Sequence, residues 1–309
     1  MVKPHVNLER ILRRTILNLA KWIIGSTYLL IGAPGYKSKL IAFVFHEVGD
    51  TPRGHARLTN TYSSNKNFMK QIALLTASFK LVDPLEDPLW INKSGCLITF
   101  DDGYSGALEA AKTLEVLGIA SVHLLNLETI FGQFNSSAVI HFRNIQLAKE
   151  TKWSESNPKV VKDVLSKLSN AELKSLADFS GPYMNQEELK ELISLNRVSF
   201  GDHFLNHWYG NSLTQEEIKE NLYINATDFH EIHKMKPYFA SPHGQMDDEK
   251  IRLIIEQGYE LIFSGSSWRK IGDIPIVPRI DMNNSIRSKA SLFGAIAILI
   301  LRSKLKAKN

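Results

Sequence analysis

The chain has 309 residues, 44% hydrophobic and 22% charged, with 11 Pro and 18 Gly in no repeating period. This excludes disordered, collagen-like and low-complexity chains. Cys96 is the single cysteine, so an intramolecular disulfide and a cysteine-based zinc module are both excluded, and a chain this long can bury a core without such staples.

The formal charge is +5, and its placement matters more than its size. Arg10, Arg13, Arg14, Lys21, Lys37 and Lys39 lie near the start; Arg287, Lys289, Arg302, Lys304, Lys306 and Lys308 lie near the end. The middle is roughly balanced and lacks the aromatic–basic interleaving of RNA or single-stranded DNA binders, so nucleic acid is the weaker partner. Residues 1–39 form a basic-apolar segment in which 15–33 read TILNLAKWIIGSTYLLIGA, broken by Lys21. Residues 286–309 form an apolar-basic helix around ASLFGAIAILIL at 290–301. Neither run supplies the roughly 20 uninterrupted apolar residues of a membrane span. Three readings stay open for these ends: helices docked on an anionic membrane surface, helices packed on the domain, and a signal or anchor at the start with a poor cleavage site.

Residues 40–285 alternate strand and helix. Strands are predicted at 40–48, 95–100, 120–125, 195–201, 236–240, 261–264 and 275–280, from short runs rich in β-branched and aromatic residues. Helices are predicted at 65–79, 105–117 and 247–257, and as one long helix over 212–234, opened by Ser212 or Thr214 followed by Glu217. A polar stretch at about 149–182 has no strand signal and reads as an inserted helical pair or lid. The alternation predicts an α/β fold with parallel strands and crossover helices, its functional groups at the carboxyl ends of the strands.

Three segments carry chemistry. Asp101 and Asp102 end the most apolar strand, in TFDDGY at 99–104. Adjacent carboxylates repel unless a cation or a proton intervenes, and Gly103 permits the turn that lets them converge. His203 and His207 stand four apart directly after a strand, the spacing at which two imidazoles can grip one ion. Two histidines and a carboxylate make a facial set that leaves coordination positions open. Residues 239–244, FASPHG, leave another strand through a Pro and Gly turn. Each segment alone has a plain structural reading; their shared position at strand ends is what makes them informative.

Together they resemble the polysaccharide deacetylase family, the NodB-homology domains of carbohydrate esterase family 4, over about 40–281. The resemblance implies a distorted (β/α)7 barrel, here with extra terminal helices, and a divalent metal, most often zinc, held by Asp102, His203 and His207. It assigns Asp101 as the base, the Tyr104 backbone N–H to the oxyanion, and the loop of Pro242, His243 and Gly244 to the substrate side. His46 is similar to a histidine in the first strand of many relatives. The implied activity is hydrolysis of a non-peptide carbon–nitrogen amide bond. An N-acetyl or N-formyl group leaves an amino sugar of a cell-envelope glycan or lipid-linked precursor, with Asp101 assisting a metal-activated water. Such an enzyme is expected in the cytoplasm or peripherally at the inner face of the cytoplasmic membrane.

The sequence departs from the family at three places. Ala240 stands where an arginine usually orients the base, and Arg279 is the expected substitute. No histidine follows His243, so the proton for the leaving amine falls to His46, His243 or a metal-bound water. Phe204 replaces the usual Ser or Thr after the first ligating histidine. These departures motivate two alternatives, a weakened carbohydrate-binding relative and an O-acetyl esterase. Trp208, next to His207, is expected to line a sugar groove. Trp22, Trp90, Trp153 and Trp268, with His5, His55, His123, His141, His230 and His233, are read as ordinary surface or core residues.

Overall fold

The computed structural model describes residues 8–86, 90–223, 234–265 and 267–306. In chain order its strands are β1 (Leu40–Phe45), β2 (Glu47–Val48), β3 (Tyr62–Ser63), β4 (Gly95–Asp101), β5 (Ser121–Leu125), β6 (Val198–Asp202), β7 (Met235–Ala240), β8 (Leu261–Ser264), β9 (Arg269–Ile271) and β10 (Ile274–Asp281). The parallel order runs β1, β4, β5, β6, β7, β8, β10, and β10 returns to β1 through Ala42–Arg279, Phe43–Ile280 and Val44–Asp281. Seven parallel strands therefore close on themselves, the distorted (β/α)7 barrel expected. β9 hangs antiparallel on β10, and β2 pairs with β3 outside the barrel.

The apolar runs became barrel strands because both faces are covered. Every residue of β1, β4, β5, β6 and β8 is buried, so continuous rather than alternating hydrophobicity is the right signal. The covering helices are α1 (Leu8–Leu30), α2 (Gly54–Thr59), α3 (Asn65–Ser78), α4 (Ser105–Val116), α5 (Leu127–Ile130), α6 (Ser136–Gln146), α7 (Pro158–Ser166), α8 (Asn170–Ser180), α9 (Gln186–Ser194), α10 (Gln215–Glu220), α11 (Asp248–Glu256) and α12 (Lys289–Lys306). The polar stretch at 149–182 is helical as expected, forming α7 and α8, with Asn157 capping the first and a Ser169–Glu172 capping box opening the second.

The long helix expected over 212–234 is a correction. The Thr214–Glu217 capping box forms, but α10 stops at Glu220. Asn221 turns its side chain to the indole of Trp208, and the Tyr223 amide donates to Asp202, 2.8 Å away. These tertiary hydrogen bonds take the chain out of helical geometry where the periodicity alone continues. His230 and His233 lie outside the described residues.

The terminal helices pack on each other. Lys21 and Gly25 of α1 meet Gly294 and Ala290 of α12, so the pair is antiparallel. A Cβ on Gly25 would stand 1.8 Å from the Ala290 carbonyl oxygen, and one on Gly294 would stand 1.9 Å from the Lys21 carbonyl oxygen. Only glycine allows that approach. Phe293 and Ile296 of α12 and Tyr28 of α1 join the barrel core with Ile41, Phe43 and Leu75. Among the described residues no helix is long and apolar enough to cross a membrane.

Candidate active site

The carboxyl ends of the barrel strands open into a cleft of about 1150 Å³. Asp101 is the last residue of β4, and Asp102 and Gly103 follow with φ of 71° and 79°. This left-handed turn brings the second carboxylate to the same mouth as the first, which a continued strand would have sent to the opposite face. His203 follows the last residue of β6, and Phe204 (φ 55°) and His207 (φ 53°) bend the backbone so that both imidazoles return toward Asp102. Non-glycine residues are uncommon at positive φ, and such geometry persists only where the surroundings hold it. Here Asp202 accepts the Phe204 amide at 2.7 Å, and the Asn126 side-chain amide donates to the carbonyls of His203 and Phe204 at 2.6 and 2.9 Å. Asp202 also accepts the Tyr259 hydroxyl. Burial pushes the Asp202 carboxyl up to about 7, although these donors oppose the rise.

Ligand atoms of Asp102, His203 and His207 all lie within 4.8 Å of one another, and all three residues are buried. Nε2 of His207 is 3.2 Å and Nε2 of His203 is 3.4 Å from Asp102 Oδ1. The hydrogen on each ring can be placed. His203 Nδ1 is 2.8 Å from the Ala240 carbonyl, which only accepts, so Nδ1 carries the hydrogen and Nε2 presents a lone pair. His207 Nδ1 is 2.6 Å from Ser137 Oγ, which also lies 2.9 Å from His243 Nε2. With His207 Nδ1–H donating to Ser137, and Ser137 donating to His243, every partner is satisfied and His207 Nε2 also presents a lone pair.

Three lone pairs then face one another in a buried site, and Asp102 Oδ1 receives no aligned hydrogen bond. That arrangement is repulsive unless a cation sits between them. Ligands at about 2.0–2.1 Å from a tetrahedral ion are separated by about 3.3 Å, close to the two distances found. The residues fit a divalent metal. Burial opposes the charge on Asp102; the imidazoles would hold its carboxyl well below the usual range only when protonated, and with the lone pairs of His203 and His207 turned to it that role falls to a cation. Burial takes His207 down to about 4, the pull of Asp102 notwithstanding. His203 is likewise penalised by burial, yet Asp101 and Asp102 raise it.

Asp101 is buried beside this set. Its Oδ2 is ion-paired to Arg279, which reaches from β10, and stands 3.6 Å from His203 Nε2. Its Oδ1 has no hydrogen-bond partner. Arg279 Nη2 also lies 3.5 Å from the Ser241 carbonyl, next to the Ala240 position. His46, His243 and Gly244 line the cleft. His243 is held at φ 60°, stacks on Trp153 at 4.7 Å, and burial, with His207 beside it, keeps its ring well below its ordinary value.

The side chains of three expected residues are turned away from the cleft. The Tyr104 ring is fully buried and stacked on Tyr183, and its backbone follows directly on Asp102 and Gly103; Pro242 is buried within its turn, and neither side chain lines the cleft. Trp208 packs in the core with Leu213 and Met246 and is not a lining residue either. The aromatic wall consists instead of Trp153, from the inserted segment, and Tyr209. Ser137, Asn126, Asp202 and Trp153 escape sequence reading. The NSS run at 135–137, a helix cap carrying a spare hydroxyl, was the one available signal for Ser137.

Neither a protein-family model nor a curated protein sequence matches the chain. Solved structures do. A polysaccharide deacetylase from Bacillus cereus aligns with a TM-score of 0.57 at 13% identity, over 84% of this chain and 69% of its own. IcaB from Ammonifex degensii aligns at 0.55 and 17% identity, over 84% and 97%. The deacetylase PplD from Streptococcus pyogenes, in complex with acetate, aligns at 0.52 and 12% identity, over 84% and 98%. The chain has the fold of the polysaccharide deacetylases.

Proposed function

We propose that the protein is a metal-dependent hydrolase that removes an N-acetyl or N-formyl group from an amino sugar. The observation that carries this reading is the convergence of Asp102 Oδ1 with the Nε2 atoms of His203 and His207, beside a second, arginine-paired aspartate. Asp102, His203 and His207 would hold the metal, and this donor set suits zinc. A metal held there would supply Lewis acidity, lowering the pKa of a bound water and polarising the amide carbonyl.

The chain's own residues do the rest. Asp101 Oδ1 is free to accept a proton from the attacking water, while Arg279 fixes the other oxygen and orients the carboxylate. Arg279 thus supports from β10 the role that Ala240 leaves open. His243 is neutral near pH 7 because burial depresses it, so it serves as a hydrogen-bonding wall and not as a proton donor. We assign protonation of the leaving amine to His46, half-buried in the cleft lining. Trp153 and Tyr209 offer flat faces to the C–H surfaces of a sugar.

The test is metal content by mass spectrometry together with amine release from N-acetylglucosamine oligomers. Asp102→Ala and His207→Ala should lose metal and turnover together. Asp101→Asn should keep the metal and lose about 10²-fold or more of kcat, the usual contribution of a general base. Wild-type rates in Asp101→Asn would remove that aspartate from the mechanism. Tight zinc without turnover would select the binding relative, and cleavage of acetyl esters but never amides the esterase.

A further inference from the structure

Helices α1 and α12 carry more apolar surface than the barrel uses. Leu12, Ile16, Leu19 and Ile23 recur at helical spacing along one side of α1, and each is more than half exposed, as is the neighbouring Trp22. Leu301 and Leu305 continue the exposed patch on α12. Leu17, Ile24 and Leu30 add exposed apolar surface on α1 itself, whereas Met69, Val116 and Phe131 lie elsewhere in the fold. The adjoining stripe of the same helix pair, Leu17, Lys21 and Ile24 with Ile298 and Arg302, lines the cleft that contains Asp101 and Asp102. Arg14 ties α1 to the barrel mouth by donating to the Leu58 carbonyl at 2.6 Å.

Charge selects the occupant of this face. Residues 10–46 and 282–309 contain twelve of the 37 Lys and Arg and no Asp or Glu. A second copy of the chain would set the same basic ends against each other. An anionic lipid surface supplies both what the stripe and what the charges need: apolar depth for Leu, Ile and Trp, and phosphate for Arg13 and Lys304 at its edges. Among the described residues neither helix is long and apolar enough to cross a bilayer.

We propose that α1 and α12 form an interfacial docking element that seats the protein on an anionic bilayer with its cleft at the lipid surface. The amino sugar it takes is then one carried on a membrane lipid. The substrate part rests on the deacylase reading; the docking part does not.

The experiment uses the full chain with vesicles of phosphatidylcholine, with and without phosphatidylglycerol. The protein should co-sediment with the anionic vesicles, less so at high salt, and the emission of Trp22 should shift to the blue and be quenched by brominated lipid. Ile16→Glu/Leu19→Glu/Ile23→Glu changes only exposed side chains that do not line the cleft. It should bind vesicles about tenfold or more weakly while hydrolysing soluble N-acetylglucosamine oligomers at the wild-type rate. N-acetylglucosamine bearing a long alkyl chain, embedded in anionic vesicles, should be deacylated faster than the soluble oligomer by the wild type, and the triple variant should lose that advantage. Protein left in solution with anionic vesicles at low salt overturns the docking proposal. So do equal binding by the triple variant and a dimer that the triple variant dissolves without any vesicle binding. Vesicle binding with no amine released from either sugar overturns the substrate part and the deacylase reading, and leaves docking supported.

Discussion

Ser137→Ala tests the proposed metal centre through a residue outside its ligand set. Ser137 Oγ is the hydrogen-bond partner of His207 Nδ1, at 2.6 Å, and it also satisfies His243 Nε2 at 2.9 Å. Removing that oxygen leaves a buried N–H without an acceptor, at about 1–3 kcal/mol. It also removes the bias that keeps the hydrogen on Nδ1 and the lone pair on Nε2. Loss of such an orienting partner typically lowers metal affinity by about 10–100-fold, or about 1.4–2.7 kcal/mol, which agrees with the cost of the unpaired donor. The assay is zinc affinity at neutral pH by competition with a chromophoric chelator, with thermal unfolding of the metal-free protein as the folding control. Ser137→Thr, which keeps the hydroxyl, should restore most of the affinity. Equal zinc binding by the Ala and Thr variants would refute the tautomer argument, because the hydroxyl would then be irrelevant to His207.

Two further outcomes are expected. Gly25→Ala adds one methyl where the Ala290 carbonyl already stands 1.8 Å from the Cβ position. The helices must separate, at about 1–3 kcal/mol; a lower Tm and earlier proteolysis within α1 check this, and an unchanged Tm would mean that the pair does not pack so closely. His123 is buried against Phe100, and burial lowers its ring from 6.5 to about 3. The unfolded chain therefore takes up a proton near 6.5 that the folded chain refuses until about 3. This contribution to stability is complete above pH 6.5 and falls away as the pH drops toward 3. Between pH 7 and pH 5 it amounts to about 2 kcal/mol, so His123→Leu should lose that much less than the wild type in urea unfolding at the two pH values; equal losses would show that His123 is already charged in the folded state.

The strands were legible because a parallel strand buried on both faces must be apolar throughout, and short runs such as LIAFVF and GCLITF announce it. The end of α10 was not. Apolar periodicity continues past Glu220, and only the position of Asp202 on a neighbouring strand explains why the Tyr223 amide leaves the helix. Arg279 as the partner of Asp101 was readable only by elimination, since 178 residues separate them. The tryptophans show the same limit: Trp208 adjoins a histidine in sequence but turns into the core, whereas Trp153 comes from a distant insertion to wall the cleft.

By itself, then, the amino-acid order determined which side chains are able to bind a metal and that they leave strands at the same end, because residue type and strand periodicity are local properties. Tertiary structure alone decided which lone pairs face each other, which hydroxyl orients His207, and that the terminal helices share a wall with the cleft. Those relations join residues 70 to more than 200 positions apart, and no local pattern encodes a distance across a closed barrel.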